Sequence, residues 1–281
     1  MARILMVGTA TLDLVFELDH APAADEEMRA RSLRTCRGGN AANSAVVLAG
    51  LGHEVEFFGT LADAPETAVI ENDLRAHGVR FSRCPKLPGR APTSSIYLTG
   101  GSRSIVHYRD LPELRRSDFD VFDMDSFDWV HFEGRNVAEV CAMMMSVRQR
   151  SPGCRVSLEL EKPREGIASC YEFSDLMLCS RGFAESQGFR EPRDFLDGFD
   201  CRDAELTLAW GEQGAYGRDA SGDCSRANAY PPARVVDTLG AGDTFNAGMI
   251  HARVSGASLL ESMDRASRLA GAKCGIFGFD L

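Results

Sequence analysis

The sequence predicts a three-layer α/β/α domain with a mostly parallel sheet, topped by a small β-sheet lid. Three observations predict it. Short apolar runs alternate with helical patterns along most of the chain, as in a parallel sheet covered by helices on both faces. Two β-rich stretches, about residues 13–37 and 90–110, interrupt that alternation. The chain's 281 residues, 44% hydrophobic and 26% charged, suffice for a sizeable core, and no linker, repeat or low-complexity tract divides them. Residues 1–281 therefore read as one domain carrying the lid as an excursion.

Residues 4–7 read as a buried strand, with a loop from Gly8 to Asp13 at its end. Residues 14–37 hold a short apolar stretch, an acidic-polar segment (24–27) and an Arg-rich alternation. A helix of small residues is expected over 40–51, stopped at Gly52, followed by a strand over 55–58 and a polar-faced helix over 63–77 ending at Gly78. Residues 93–99 and 103–108 form two β arms around a Gly100-Gly101 turn. Runs 129–132, 155–160, 176–179 and 206–210 are further strands, and the last helices begin near Gly242 and Leu259. The two excursions are expected to pair into a second sheet over the open face of the main domain. Val15, Phe16, Leu18, Ile96, Tyr97, Leu98, Ile105 and Val106 place apolar side chains on both faces of that thin sheet.

A net charge of −10 with no Lys/Arg block argues against nucleic acid or an anionic membrane as partner. The nine cysteines are odd in number and contain no Cys-x-x-Cys pair, so reduced thiols in a cytoplasmic protein are expected rather than disulfides or zinc. No apolar run approaches the ~18 residues of a membrane helix.

The chemistry concentrates in Asp237-Thr238-Leu239-Gly240-Ala241-Gly242-Asp243, which leads into an apolar-periodic helix. Glycines let the backbone approach an anion closely, and the first N–H groups of the helix point at it unpaired. Asp243 stands where it can take a proton from an attacking hydroxyl while those N–H groups stabilise phosphoryl charge. A bare Gly-x-Gly-Asp would read as a tight turn with an acidic first turn. Toward the N-terminus, Gly38-Gly39-Asn40-Ala41-Ala42-Asn43 opens a helix. Asn40 and Asn43 share a face there, each with a donor and an acceptor suited to sugar hydroxyls.

Both strings, with Asp13 after the first strand, resemble the ribokinase-like carbohydrate kinases. The strings His131-Phe132-Glu133-Gly134-Arg135-Asn136 and Glu159-Leu160-Glu161-Lys162-Pro163-Arg164-Glu165 resemble the ketohexokinase (hepatic-type fructokinase) branch of that family, and the likeness runs over nearly the whole chain. The resemblance implies phosphoryl transfer from ATP, with Mg2+, to a ketohexose, fructose first among them. A monovalent cation is left open. It implies sugar contacts from Asp13, Gly39, Asn40, Asn43 and Asp243, and nucleotide contacts from Gly211, Glu212, Gln213, Gly214, Gly240, Ala241, Gly242 and Asp243. Arg103 would reach the phosphates from the lid, and Cys274 would lie near the base. The lid would clasp a second copy in a homodimer, carrying Asp25 to the neighbour's sugar. Where many relatives place Asn-x-x-Glu to organise the metal, this chain has Ser180-Arg181-Gly182-Phe183, which leaves Glu161 and Lys162 as candidates on position alone. A kinase of ribose, tagatose or a modified ketose is the alternative enzyme. A silent sugar- or nucleotide-binding regulator is the alternative of another class.

Overall fold

The computed structural model describes residues 1–100, 102–201 and 203–281; Gly101 of the expected turn lies outside the described residues. β1 (Arg3–Val7) passes through Gly8 into β2 (Thr11–Leu18), and β3 (Ser32–Gly38) returns beside it before α1 (Asn40–Gly50) and β4 (Glu54–Phe58). The two-residue strands β5 (Leu61–Ala62) and β6 (Lys86–Leu87) flank α2 (Thr67–Ala76), and β7 (Thr93–Thr99) with β8 (Ser102–Tyr108) completes the second excursion. The chain continues through β9 (Trp129–Glu133), α3 (Val137–Arg150), β10 (Arg155–Leu160), β11 (Leu176–Ser180), α4 (Arg181–Ser186) and α5 (Pro192–Gly198). It then runs through β12 (Glu205–Ala209), β13 (Ala215–Arg218), β14 (Cys224–Ala227), α6 (Ala241–Val254) and α7 (Leu259–Cys274).

The main sheet has eight strands in the order β14-β13-β12-β11-β10-β9-β1-β4. Every pairing from β12 to β4 is parallel, and the β12–β13 and β13–β14 pairings at one edge are antiparallel. Strands covered by helices on both faces must be apolar throughout, which is why β1, β9 and β10 are almost wholly buried. From β1 the chain first adds β4 on one side and later β9 on the other. That reversal opens a crevice at the carboxyl ends of the strands, where ligands bind in open α/β sheets.

The two excursions do pair. β2 lies parallel to β7, with Asp13 beside Ser94 and Val15 beside Ile96, and the second sheet has the order β3-β2-β7-β8. Three boundaries differ from expectation. Asp13 sits inside β2 rather than in a loop, because pairing starts at Thr11 against Gly38. The helix expected from residue 63 starts at Thr67, after a turn closed by the Thr67 N–H on Ala64 O at 3.1 Å. Strand β12 ends at Ala209, and Trp210 already turns.

Small residues set two helix packings that matter for the site. Ala41, Ala42, Ser44 and Ala45 are buried on α1 and let it lie close to its neighbours. On α6, a Cβ at Gly248 would stand 2.8 Å from Ala266 Cα, so α6 and α7 cross there at backbone contact.

Candidate active site

A cleft of about 620 Å³ opens at the carboxyl ends of the main-sheet strands. Thr9, Glu133, Glu159, Glu161, Ser180 and Ala209 line it from just within or beyond β1, β9, β10, β11 and β12. The lid roofs it. Strand alternation puts Asp13, Ser94 and His107 in one register row and Ile96 and Ile105 in the next, and all five line the cleft.

The N-termini of α1 and α6 meet on the floor. Asn43 Nδ2 donates to Asp243 Oδ2 at 2.6 Å, and Ser44 Oγ donates to the Asp243 carbonyl at 3.0 Å. The Asn43 amide oxygen accepts from the buried Arg37 guanidinium, which also holds Asp73. Asn43 thus spends one hydrogen bond from each end of its amide orienting Asp243. Its remaining lone pair and N–H are what it can offer a ligand. Asn40 Nδ2 donates to Glu159 Oε1 at 3.1 Å and to Glu161 Oε2 at 3.3 Å.

Gly240 takes a left-handed φ of 76° and starts α6 with no side-chain cap. The Ala241 N–H turns back onto Thr238 O at 3.3 Å, and the Gly242 and Asp243 N–H groups that follow are left for a ligand, reinforced by the helix dipole. A Cβ on Gly242 would meet nothing within 4 Å, so this residue faces open space in the cleft. Gly38 is needed for a different reason: a Cβ there would fall 2.0 Å from Asp13 Oδ2. Gly39 combines φ 96° with a Cβ position 2.2 Å from Thr9 O.

Burial sets the electrostatics. It raises the Asp13 carboxyl, against hydrogen bonds from Thr11 and Ser94 and the Arg37 charge. It pushes Asp243 well above the usual carboxylate range, assisted by the negative Glu159 and opposed by the Asn43 hydrogen bond. It raises Glu159 likewise, with Glu133 and Glu161 adding to the effect.

Of the expected site residues, Asp13, Gly39, Asn40, Asn43, Arg103, Gly240, Gly242 and Asp243 line this cleft, and so do Glu161 and Lys162. Arg103 Nη1 reaches from the lid to Thr238 Oγ1 at 3.2 Å. Ala241 lies between the two lining glycines on the first turn of α6. Gly211, Glu212 and Gln213 form a single turn after Ala209, closed by Gly214 at φ 91°; all four lie outside the cleft lining. Cys274 ends α7 and accepts the Val236 and Asp237 N–H groups on its carbonyl. Asp25 is exposed on the loop between β2 and β3, away from the cleft of its own chain.

The sequence reading assigned no role to Glu133, Glu159 or Asn246, although its branch strings contained the first two. Glu133 Oε2 accepts the Thr9 N–H at 2.8 Å and hydroxyl at 2.7 Å, and its Oε1 lies 3.2 Å from Arg135 Nη1. Asn246 Nδ2 donates to Glu159 Oε1 at 3.1 Å. Two histidines lie close to the site, and His107 lines the cleft from the lid. His131 is buried under the cleft against Ser157 Oγ at 2.8 Å, and burial pulls its imidazole down to about 4, so it is neutral at physiological pH. In place of Asn-x-x-Glu, Ser180 caps α4 through the Phe183 N–H at 3.0 Å and Phe183 is buried in the core.

The profile described as pfkB family carbohydrate kinase matches residues 1–155 and 205–279. The chain belongs to this family. Mouse ketohexokinase is 37% identical over 99% of this chain and 98% of its own length. Ribokinase of Bacillus subtilis is 25% identical over 99% and 94% respectively. Among solved structures, Arabidopsis thaliana ribokinase complexed with ribose and ATP superposes with a TM-score of 0.83 at 21% identity, covering 99% of this chain and 94% of that one. The protein is an ATP-dependent carbohydrate kinase of the ribokinase-like fold and resembles ketohexokinase within it. Among the described residues, no helix is long and apolar enough to cross a membrane.

The raised Asp243 carboxyl has a consequence for the ligand-free kinase. A carboxyl whose folded pKa is raised binds more protons folded than unfolded, so stability falls as pH climbs from the unfolded value through the folded one. Asp243→Asn keeps the acceptor for Asn43 and removes this penalty. The variant's melting temperature should exceed wild type at pH 8 by more than at pH 5. A gain of about 1 kcal/mol corresponds to about 2–4 °C. Calorimetry showing an equal or negative difference at pH 8 would refute the burial argument.

Proposed function

We propose that the protein transfers the γ-phosphoryl group of ATP to the C1 hydroxyl of fructose, with Asp243 as base. The observation that carries this is the Asn43–Asp243 contact at the uncapped start of α6, inside the cleft. A hydroxyl placed against Asp243 loses its proton to Oδ as its oxygen bonds the γ-phosphorus and the bond from that phosphorus to the bridging oxygen breaks, releasing ADP. The Gly242 and Asp243 N–H groups meanwhile receive the phosphoryl oxygens. Its elevated proton affinity makes Asp243 a stronger base than an exposed carboxylate.

The sugar lies between Asp13 above and Asn40, Asn43 and Gly39 below. The nucleotide runs from the α6 N-terminus past Ala209 toward Gly211–Gly214 and Cys274, with Arg103 on its phosphates. Support for a ketose comes from the branch strings themselves: Glu133, Arg135, Glu161, Lys162 and Pro163 all line the cleft. The cleft lining holds the carboxylates Asp13, Glu133, Glu159, Glu161 and Asp243 against the cations Arg103, Arg135 and Lys162. Such an excess of acid suits a neutral acceptor better than a phosphorylated one.

Mg2+ fits this donor set. Glu161 offers carboxylate oxygens at the cleft, and Glu159 Oε2 is buried with no hydrogen-bond partner among the described residues. Glu161 and, behind it, Glu159 would hold the ion, which supplies charge neutralisation at the β- and γ-phosphates. A cytoplasmic setting agrees with nine free cysteines.

The lid's outer face supports a homodimer. Every residue of β8 is exposed, and Leu33, Val106 and Tyr108 are 56%, 62% and 56% exposed beside a stacked Phe16–Tyr97 pair with centroids 5.6 Å apart. A thin sheet with apolar groups on both faces needs a second cover. Clasping another copy provides it and would carry Asp25 to the neighbouring sugar.

The test is a coupled ADP-release assay across fructose, tagatose, ribose and fructose 1-phosphate. Fructose should show the highest kcat/KM. Preference for ribose or the phosphorylated sugar overturns the substrate assignment, and binding without ADP release points to a regulator. With fructose, Asp243→Asn should lower kcat by about 10²–10⁴-fold while both substrates still bind. Asn43→Ala should raise the fructose KM about 10-fold, at about 1–3 kcal/mol for a lost buried partner, and should lower kcat because Asp243 loses its clamp. A change confined to the ATP KM would place the sugar at the wrong end. Sedimentation at micromolar concentration should give a dimer, and Val106→Glu a monomer. A wild-type monomer with full fructose turnover removes the shared-site idea.

A further inference from the structure

Outside the groups already assigned, the most deeply buried cation among the described residues is Lys273, at 0% exposure in the last turn of α7. An ammonium is held in a protein interior only where its three donors are answered. Here the answers come from the segment that leads into the phosphoryl-binding turn. Lys273 Nζ donates to the Asp237 carbonyl at 3.0 Å and stands 3.4 Å from Asp237 Oδ2. The other carboxylate oxygen of Asp237 accepts the Leu239 N–H at 2.9 Å. Backbone and side chain of one residue are thus fixed together, and the next residue but one is tied to them.

The same ammonium lies 5.5 Å from the centroid of the Phe279 ring, which gives it a cation–π contact. That ring packs on Gly240 so closely that a Cβ there would fall 2.3 Å from its edge. Its other neighbour is the Arg37 guanidinium, 5.1 Å from the ring centroid, which orients Asn43 and through it Asp243. Lys273 therefore touches the turn before α6 from below at Asp237 and, through Phe279, at Gly240. A lysine needed only to neutralise Asp237 could do so from the surface at less cost. This one is sealed beneath the turn whose N–H groups must be aimed.

We propose that Lys273 is a positioning residue for phosphoryl transfer: an internal ammonium that fixes residues 237–240 so that the first N–H groups of α6 point at the transferring phosphoryl group. This rests on the reading that residues 240–243 receive that group. It would act through Asp237 and Phe279 without touching either substrate.

The test compares full-length Lys273→Met, Lys273→Arg and the double variant Lys273→Met/Asp237→Asn with wild type, using ATP and fructose. In Lys273→Met, kcat should fall about 10–100-fold, as a misplaced reacting group does, while fructose binding measured by calorimetry changes less than about 2-fold. Lys273→Arg should recover part of kcat. The double variant removes the buried Asp237 charge, which Lys273→Met leaves with Arg34 Nη2 at 3.8 Å as its remaining cation, and should regain melting temperature without regaining kcat. Recovery of both stability and kcat in the double variant overturns the proposal, since the pair would then be structural filler. So does a parallel loss of fructose binding and kcat, or failure of both variants to fold. If wild type itself turns over no sugar, the catalytic reading has failed. ADP affinity, expected to drop in Lys273→Met with fructose binding unchanged, then still decides the role of Lys273.

Discussion

The site depends on one contact, the 2.6 Å hydrogen bond between Asn43 and Asp243, which lie 200 residues apart in the chain. It forms only because two helices from opposite ends of the sequence start at the same place and both lack a side-chain cap. The adjacent Ser44–Asp243 bond, and the small residues that let α1 lie close, make the approach possible. Two positive helix ends side by side would repel, and a buried carboxylate next to them restores the balance. The same arrangement leaves the unpaired N–H groups facing the cleft. The cleft floor, the orientation of Asp243 and the uncapped helix start are thus consequences of one packing decision.

Much of the fold was legible because its signals are local. Apolar runs marked β1, β9, β10 and β11, and the parallel order followed from their alternation with helices. The lid was legible from texture, since residues 93–108 lack helical periodicity and bracket a glycine pair. The short edge strands β13 and β14 were not, because Ala215–Arg218 and Cys224–Ala227 have neither an apolar run nor clean alternation. Asp13 reads as a loop residue because a strand that begins at Thr11 is defined by its partners, Gly38 and Thr93 among them, and not by its own composition.

The site divides along the same line. The turn before α6 and the start of α1 announce themselves through glycines at fixed spacing. Glu133 and Glu159 do not, because a carboxylate at the end of an apolar strand carries no local pattern. Their roles appear only when Thr9, Asn40 and Asn246 come to them from elsewhere in the chain. The reading of Asn43 was incomplete for a related reason. From spacing, it looks like a sugar ligand; only the Arg37 and Asp243 contacts reveal that part of its amide is already committed.

These contacts also bear on how the lid meets the cleft. Asp13 hangs from the lid into one end of it, and its carboxylate is packed so tightly that Gly38 beside it must be glycine. Arg103, farther along the same face, bonds Thr238 in the turn before α6. The lid therefore offers the cleft a carboxylate at one end and a guanidinium at the other. Since β2 pairs directly with β7 and β7 with β8, neither group can move far without carrying the other. Such a sheet presents the carboxylate and the guanidinium to the cleft as one unit. Asp13 is half-buried against Thr11 and Gly38, whereas Arg103 is exposed on a strand open along its whole length. The Asp13 end of the cleft is thus the more enclosed, and the Arg103 end the more open to solvent.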